Sequence, residues 1–130
     1  MARKLVSSGS YLEPQIGFSR AVRIGSHIAI SGTAPIAKGG GTAGVGSVYL
    51  QTLRCLEIIE AALAEAGASM NDVIRTRIML TDISEWTSAA EAHGAAFSKI
   101  RPASTFVQVS GFIDPEWLVE VEADAVVDGG

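Results

Sequence analysis

The segment LVEVEADAVV, residues 118–127, alternates apolar and acidic residues without a break. Successive side chains of a β-strand point to opposite faces of the sheet, so this alternation predicts a strand with one apolar and one acidic face. The apolar face carries Val119, Val121, Ala123, Ala125 and Val127, and the acidic face carries Glu120, Glu122 and Asp124. The segment therefore requires a sheet that is covered on one side only.

Four further strands are predicted. Residues 19–32, SRAVRIGSHIAISG, hold two short apolar runs around Gly25 and Ser26, which is typical of a hairpin. Residues 71–80 switch to a period of two, with one face formed by Ile74, Thr76, Ile78 and Leu80. After Pro102 the alternation returns, with Thr105, Val107 and Val109 opposite Ser104, Phe106 and Gln108.

Two segments have a helical period. The first begins at Ser47 and ends before Gly67, which occupies the usual place of a C′ glycine, and its apolar stripe is Tyr49, Leu53, Leu56, Ile59 and Leu63. Asp82 and Glu85 resemble a capping box before the second helix, whose stripe is Trp86, Ala90, His93 and Phe97. On such a stripe, we expect His93 to be a packed core histidine rather than a general base.

The order of these elements predicts an α+β fold in which two helices cover one face of a single mixed sheet. We expect one domain over residues 1–130, with an extended N-terminal segment at 1–16 and a flexible glycine-rich loop at 35–46. The uncovered face would carry Arg75, Arg77, Phe106, Gln108, Glu120 and Glu122. An open face of this size predicts self-association.

Charge and composition argue against several classes of partner. The net charge of -4 repels phosphate backbones and anionic bilayers, so we expect neither a nucleic-acid nor a membrane partner. No apolar run approaches the roughly 18 residues of a membrane span, and a cytoplasmic location is expected. Cys55 falls in an apolar helical pattern, and His27 and His93 lack the spacing of metal ligands, so neither a metal nor a cofactor is expected.

Five stretches, in their order and spacing, resemble the RidA/YjgF family, which is also called the L-PSP family. They are GFSRAVRIGSHIAISGTAP, QTLRCLEIIEAALAEAGASMNDVIRTRIMLTDISEW, HGAAF, RPAST and VEVEADAV, and they extend from Gly17 to Val126. The resemblance implies a chorismate-mutase-like fold and a homotrimer with small-molecule clefts between neighbouring subunits. Family members of the deaminase type hydrolyse enamines and imines, such as 2-aminoacrylate and 2-iminopropionate, to a 2-keto acid and ammonia.

The main departure from the deaminases falls at Ser104. In the deaminases, this place in a Pro-Ala-Arg motif holds an arginine that pairs with the substrate carboxylate. A guanidinium donates two charge-assisted hydrogen bonds to a carboxylate, whereas a serine hydroxyl offers one neutral donor. The standard substrate is therefore expected to lose its anchor, unless Arg101, Arg20, Arg23 or a residue of a neighbouring subunit replaces it.

Other family positions also differ here. Phe18 stands where the family usually has a tyrosine, Thr33 follows Ser31 and Gly32 where a glutamine is usual, and Ala90 matches an asparagine. Glu120 matches the glutamate that positions the hydrolytic water, although an alternating carboxylate face can equally be solvated or paired with Arg75 and Arg77. The resemblance thus implies Glu120 as the catalytic residue, and substrate-binding residues Phe18, Ser31, Gly32, Thr33, Ser104, Thr105 and Phe106.

Two functions remain open at this point. The first is a hydrolase of an imine, an enamine or a similar small substrate that is not a standard 2-iminopropionate deaminase. The alternative is a non-catalytic module that binds or senses a small metabolite. An endoribonuclease, the activity in one of the family's labels, is the least supported because the chain has no basic patch interleaved with aromatic residues and no pair of histidines for acid-base cleavage.

Overall fold

A single six-stranded sheet organises the chain, and the computed structural model describes residues 2–128. The strands are β1 (Arg3–Val6), β2 (Ala21–Ile24), β3 (His27–Thr33), β4 (Val73–Leu80), β5 (Ala103–Gln108) and β6 (Val119–Val126). Their order in the sheet is β1-β2-β3-β6-β4-β5. Only β4 and β5 run parallel, so the predicted mixed sheet is confirmed.

Within residues 2–128, three α-helices accompany the sheet: α1 (Leu12–Ile16), α2 (Val48–Glu65) and α3 (Trp86–Phe97). Ser47 begins α2 as predicted, because its Oγ accepts a hydrogen bond of 3.1 Å from the backbone N–H of Leu50. Gly67 ends the helical segment with a φ of 85°, a left-handed conformation that glycine adopts without a steric penalty.

The core lies between α2, α3 and one face of the sheet. Ile59 and Leu63 of α2 are fully buried against strand residues such as Ile28 and Val121, and Phe97 of α3 belongs to the same cluster. Burying each large apolar side chain contributes about 1.5–3 kcal/mol to folding. The predicted apolar face of β6 is confirmed from Val119 to Ala125, whereas Tyr49 and Leu53 lie at the edge of the buried face of α2 rather than at its centre.

Two predictions about strand faces are wrong. Ile74 was expected on the buried face of β4 but is 51% exposed, because the pairing with β6 shifts register between Val73 and Arg75. Phe106 and Gln108 were expected on the open face but lie on the helix side. Phe106 pairs with Ile78 and contacts the His93 ring at a centroid distance of 6.2 Å, and Gln108 accepts a hydrogen bond from the backbone of the turn before α3.

The N-terminal segment is more structured than an extended chain. Residues 3–6 do pair with β2, but residues 12–16 form the short helix α1, which corrects the expectation for that part. The carboxylate of Glu13 accepts hydrogen bonds from the backbone N–H groups of Ser8 and Ser10, which fixes the chain ahead of the helix. In the glycine-rich loop, Ile36 pairs with Thr42 in an isolated bridge.

The open face of the sheet carries a short ladder of ion pairs. Arg77 pairs with Glu122 across β4 and β6, and Arg75 Nε lies 4.0 Å from Asp124 Oδ2. These pairs confirm that the two arginines lie on the open face and meet carboxylates there. Self-association through this face stays a prediction. No helix within residues 2–128 is long and apolar enough to cross a bilayer.

Candidate functional site

Glu120 differs from the other carboxylates of β6 in what lies opposite it. Glu122 and Asp124 are opposite arginines of β4, whereas Glu120 is opposite Met79. Its carboxylate forms neither an ion pair nor a hydrogen bond with any residue between 2 and 128. The register of the sheet therefore leaves this one carboxylate available to a ligand or to water.

The Glu120 side chain faces a cavity of about 240 Å³, which we call the Glu120 cavity. Its walls come from α1, from β3 and the residues after it, and from the segment before β6. They are largely apolar, and the apolar members are Leu12, Ile16, Phe18, Ala34, Ile36, Ile113 and Trp117. The polar members are Ser10, Arg20, Ser31 and Glu120, with the backbone of Gly32. A small organic molecule with few polar groups fits this lining.

Gly32 lies directly against the carboxylate. A Cβ added at this position would be 2.9 Å from Oε1 of Glu120, closer than side-chain carbon atoms approach such an oxygen. The pairing of β3 with β6 is irregular here, since its register shifts between Ile30 and Thr33. A side chain at residue 32 would therefore displace the Glu120 carboxylate from its present position.

Arg20 is the second charged group of the cavity and is only 3% exposed. Its Nη1 donates to the Gly32 carbonyl oxygen at 2.6 Å and to the hydroxyl groups of Ser31 and Thr33, each at 3.1 Å. Its Nε donates to Ser8 Oγ, and its guanidinium lies 5.3 Å from the centre of the Phe18 ring. Nη2 makes no hydrogen bond with any described residue, so one edge of the guanidinium stays available.

Burial dominates the electrostatics of both charged groups. Burial raises the pKa of Glu120, the nearby Arg20 charge opposes this rise, and the Glu122 charge adds to it. Burial also lowers the pKa of Arg20, an effect that Glu13 and Glu120 oppose. Since a guanidinium keeps its proton in proteins, the cavity contains a permanent cation beside a carboxylate that takes up a proton more readily than an exposed one.

Four of the eight predicted site residues line the Glu120 cavity. Glu120, Phe18, Ser31 and Gly32 come together there. Thr33 is fully buried beneath Arg20, where its hydroxyl donates to the carbonyl oxygen of Ser31 and supports the bulged end of β3.

The other three predicted site residues, Ser104, Thr105 and Phe106, lie on β5, which β4 separates from β6. Within one subunit they do not meet Glu120. Thr76 Oγ1 donates a hydrogen bond of 2.9 Å to Ser104 Oγ and also lies 2.8 Å from Nε2 of His93. Ser104 thus ends a chain of three hydrogen-bonded side chains on the helix side of the sheet.

His93 is packed as predicted, with its ring centroid 4.7 Å from that of Phe97. Burial lowers the pKa of His93, which favours the neutral ring. The sequence pattern missed its polar partner, although the threonine at residue 76 interrupts an otherwise apolar strand face and could have indicated one.

The structure distinguishes the three arginines considered as replacements for the missing anchor. Arg20 lines the Glu120 cavity. Arg23 donates to the carbonyl oxygen of Ala66 at the end of α2, and Arg101 is exposed before β5 with a φ of 58°. Sequence reasoning also missed Trp117 and Ile113, whose positions depend on the irregular segment before β6. No cluster of His, Cys, Asp or Glu suited to a metal ion occurs in residues 2–128.

Comparisons with known proteins agree with this architecture. The family model described as Endoribonuclease L-PSP matches residues 9–127. An uncharacterized protein of Streptomyces coelicolor is 38% identical over 124 residues, which are 95% of this chain and 92% of that protein. The 3-aminoacrylate deaminase RutC of Acinetobacter baylyi is 28% identical, over 98% of this chain and all of RutC.

Among solved structures, a member of the YjgF/YER057c/UK114 family from Mycobacterium tuberculosis superimposes with a TM-score of 0.88. It is 46% identical, and the match covers 97% of this chain and 100% of that one. The same arrangement of sheet and helices thus occurs in a protein whose sequence is identical to this chain at nearly half of the aligned positions. With the family model matching from residue 9 to residue 127, the chain belongs to the RidA/YjgF family, whose family model carries the description Endoribonuclease L-PSP.

Proposed function

We propose that this protein hydrolyses a small imine or enamine and that Glu120 activates the water. The observation that carries this proposal is the state of the Glu120 carboxylate, which is half-buried, faces a cavity and has no partner among residues 2–128. A structural carboxylate in the same strand, such as Glu122, is instead paired with an arginine.

The chemistry follows from the raised pKa of Glu120. The carboxylate takes a proton from water as the oxygen attacks the carbon of the C=N bond, which gives a carbinolamine. The carboxyl group then returns this proton to nitrogen, which completes the carbinolamine. A second transfer through the same carboxylate moves the hydroxyl proton to nitrogen as the C–N bond breaks, which leaves a carbonyl compound and ammonia. A carboxyl group whose pKa lies nearer to neutrality than usual is suited to both transfers.

Arg20 indicates which substrates fit. Three of its hydrogen bonds occupy Nη1 and one occupies Nε, so only Nη2 remains for a substrate. This gives one charge-assisted hydrogen bond instead of the two of a free guanidinium fork. We therefore propose a substrate that is less anionic than 2-iminopropionate and has an apolar portion against Phe18 and Trp117. The deaminase name of the Acinetobacter baylyi relative supports the reaction class.

A homotrimer would complete this site. Thr105 belongs to β5, the exposed edge strand, and pairs with Arg77 of β4. Its side chain therefore points to the open face. If the open faces of three copies pack together, β5 of one subunit approaches the Glu120 cavity of the next. We propose that Ser104, Thr105 and Phe106 act there as binding residues for the neighbouring subunit's substrate. Light scattering coupled to size exclusion tests this assembly, and a monomer would contradict it.

The second candidate is a binding module without catalysis. It is favoured by Phe18, whose ring provides packing but no hydroxyl for a substrate, and by the hydrogen bonding of Ser104 to Thr76. A protein of this kind would bind metabolites in the Glu120 cavity without releasing ammonia.

The decisive experiment is an imine-hydrolysis assay. An amino-acid oxidase generates 2-imino acids in place, a flavin amine oxidase generates imines that lack the carboxylate, and semicarbazide traps the imines that survive. We expect the wild type to lower the trapped yield and Glu120→Gln to lose about 10²- to 10⁴-fold in rate, the usual contribution of general acid-base catalysis. Asp124→Asn, on the same face of the same strand, is the matched control and should keep its rate.

The outcomes separate the two candidates. Hydrolysis that depends on Glu120 but not on Asp124 supports the enzyme. Wild-type protein that changes no trapped yield, yet shows saturable calorimetric binding of the same amino acids or their keto acids, supports the binding module and contradicts catalysis.

A further inference from the structure

A second and larger cavity also has Arg20 in its lining, and we call it the basic cavity. It has a volume of about 500 Å³ and lies between residues 8–11, the glycine-rich residues 36–40 and helix α2. Three cationic side chains line it, Arg20, Lys38 and Arg54, and no aspartate or glutamate belongs to its lining. The chain as a whole has a net charge of -4, so the lining of this cavity is positively charged in an otherwise negatively charged protein.

Arg20 is the buried member of this set. Its side chain is almost fully enclosed, yet it forms no ion pair within residues 2–128, and its Nη2 has no hydrogen-bond partner there. A buried charge is costly unless it is paired, and the nearest carboxylates do not pair with it. Glu13 is occupied by backbone N–H groups, and Glu120 faces the other cavity. An anion in the basic cavity would supply the missing partner.

Arg54 and Lys38 define the rest of the cavity. Arg54 is held in place by its Nε, which donates to the Ile36 carbonyl oxygen at 2.7 Å. Its Nη1 lies 3.2 Å from the exposed carboxylate of Glu57, which neutralises part of its charge. Lys38 is exposed on the glycine-rich loop and makes no ion pair with a described residue. A flexible ammonium at the rim can close over an anion that Arg20 holds at the base.

We propose that the basic cavity binds the oxyanion group, a carboxylate or a phosphate, of a small organic molecule. Apolar side chains of the cavity, Ile36, Ile58 and the Tyr11 ring, would contact the carbon skeleton of that molecule. The volume falls within the usual range of small-molecule sites. The two cavities share the lining residues Ser10, Arg20, Ala34 and Ile36, but anion binding in the basic cavity does not depend on the reaction proposed at Glu120.

Calorimetric titration tests the proposal with three aromatic probes of similar size. Benzoate carries a carboxylate, phenyl phosphate carries a phosphate, and benzamide is neutral. We expect saturable binding of at least one anion and none of benzamide, and the preferred anion identifies the source of the oxyanion group. Lys38→Gln should weaken that binding about tenfold, the effect of losing one charge-assisted hydrogen bond. Arg75→Gln removes a cation from the open sheet face instead and should leave it unchanged.

Backbone amide shifts locate the bound anion. With the anion that binds, we expect the ¹⁵N–¹H signals of Gly39 and Gly40 in the basic cavity to move and that of Gly32 in the Glu120 cavity to stay. The proposal is overturned by the absence of saturable anion binding, by equal affinities of wild type and Lys38→Gln, or by shifts confined to Gly32. Lys38 is exposed, so its substitution leaves the fold intact for the comparison.

Discussion

Glu120 of β6 and Gly32 of β3 approach each other so closely that any side chain at residue 32 would displace the carboxylate. The contact that limits the position is between an added Cβ and Oε1, at 2.9 Å. The carboxylate is the far end of a flexible side chain, so it can move aside at little cost to folding. Such a movement would turn the carboxylate away from the cavity.

Gly32→Ala is therefore predicted to separate activity from stability. We expect kcat/KM for the imine to fall by about 10²-fold, because misplacing a catalytic group by about 1 Å has effects of that size. The melting temperature should change little. Steady-state kinetics and a thermal melt of the same sample measure both. Gly94→Ala on α3, where an added Cβ meets nothing within 4 Å, is the control.

Glu120→Gln is predicted to raise the stability of the protein at neutral pH. Burial raises the folded-state pKa of Glu120 above 4.5, so the folded chain holds this proton more tightly than the unfolded chain. The resulting stabilisation is full below 4.5 and is lost as pH rises through the folded pKa. Urea unfolding at several pH values should show the variant more stable than wild type at pH 7, with the difference shrinking toward pH 4.5.

A control variant and a contrary outcome test this interpretation. Asp124→Asn on the same face should show no such pH-dependent gain. A lower stability of Glu120→Gln at pH 7 would mean that attraction to Arg20 outweighs burial of the carboxylate.

His93 is predicted to contribute the opposite pH dependence. Burial lowers its folded-state pKa below 6.5, so the unfolded chain takes up the proton first as the pH falls. Stability should therefore decline from pH 6.5 downward until the folded-state pKa is reached. In His93→Gln this part of the decline should be absent, whereas His27→Gln, at an exposed position of β3, should keep it. Equal slopes for wild type and His93→Gln would contradict the prediction.

Ser104→Arg is predicted to create activity toward 2-iminopropionate in the assembled protein. A guanidinium at this position restores the carboxylate anchor that the family resemblance implies, and two charge-assisted bonds justify an expected gain of at least about tenfold. Ser98→Arg is the matched control, since it adds the same charge at an exposed residue after α3 that lies outside the predicted site. The imine-hydrolysis assay compares them, and equal gains would indicate a general effect of charge rather than an anchor.

Local patterns sufficed for the elements with one strongly buried face. The alternation in β6, the hairpin of β2 and β3, and the cap at Ser47 are set by neighbouring residues, and each was predicted correctly. The faces of β5 were not, because an edge strand is weakly buried and Phe106 takes its side from parallel pairing with β4. The bulge that exposes Ile74 likewise depends on its partner strand.

The candidate site was predictable only in part. The family resemblance indicated Glu120 and the Ser31-Gly32 pair, and these do lie together. Arg20 gave no comparable signal, because its burial and its four hydrogen bonds arise from Ser8 and the end of β3, which meet it only in the folded chain. The Thr76 link between Ser104 and His93 is equally a product of tertiary contact.

Arg20 forms part of the wall of both cavities, and its single free edge cannot satisfy two anions at once. Molecules bound in the two cavities would therefore compete for one guanidinium. Such antagonism is reciprocal: an anion in the basic cavity weakens an anionic substrate beside Glu120 by the same factor by which that substrate weakens the anion. The chain would then sense a second metabolite through the shared charge of one side chain, with no change in the shape of the fold.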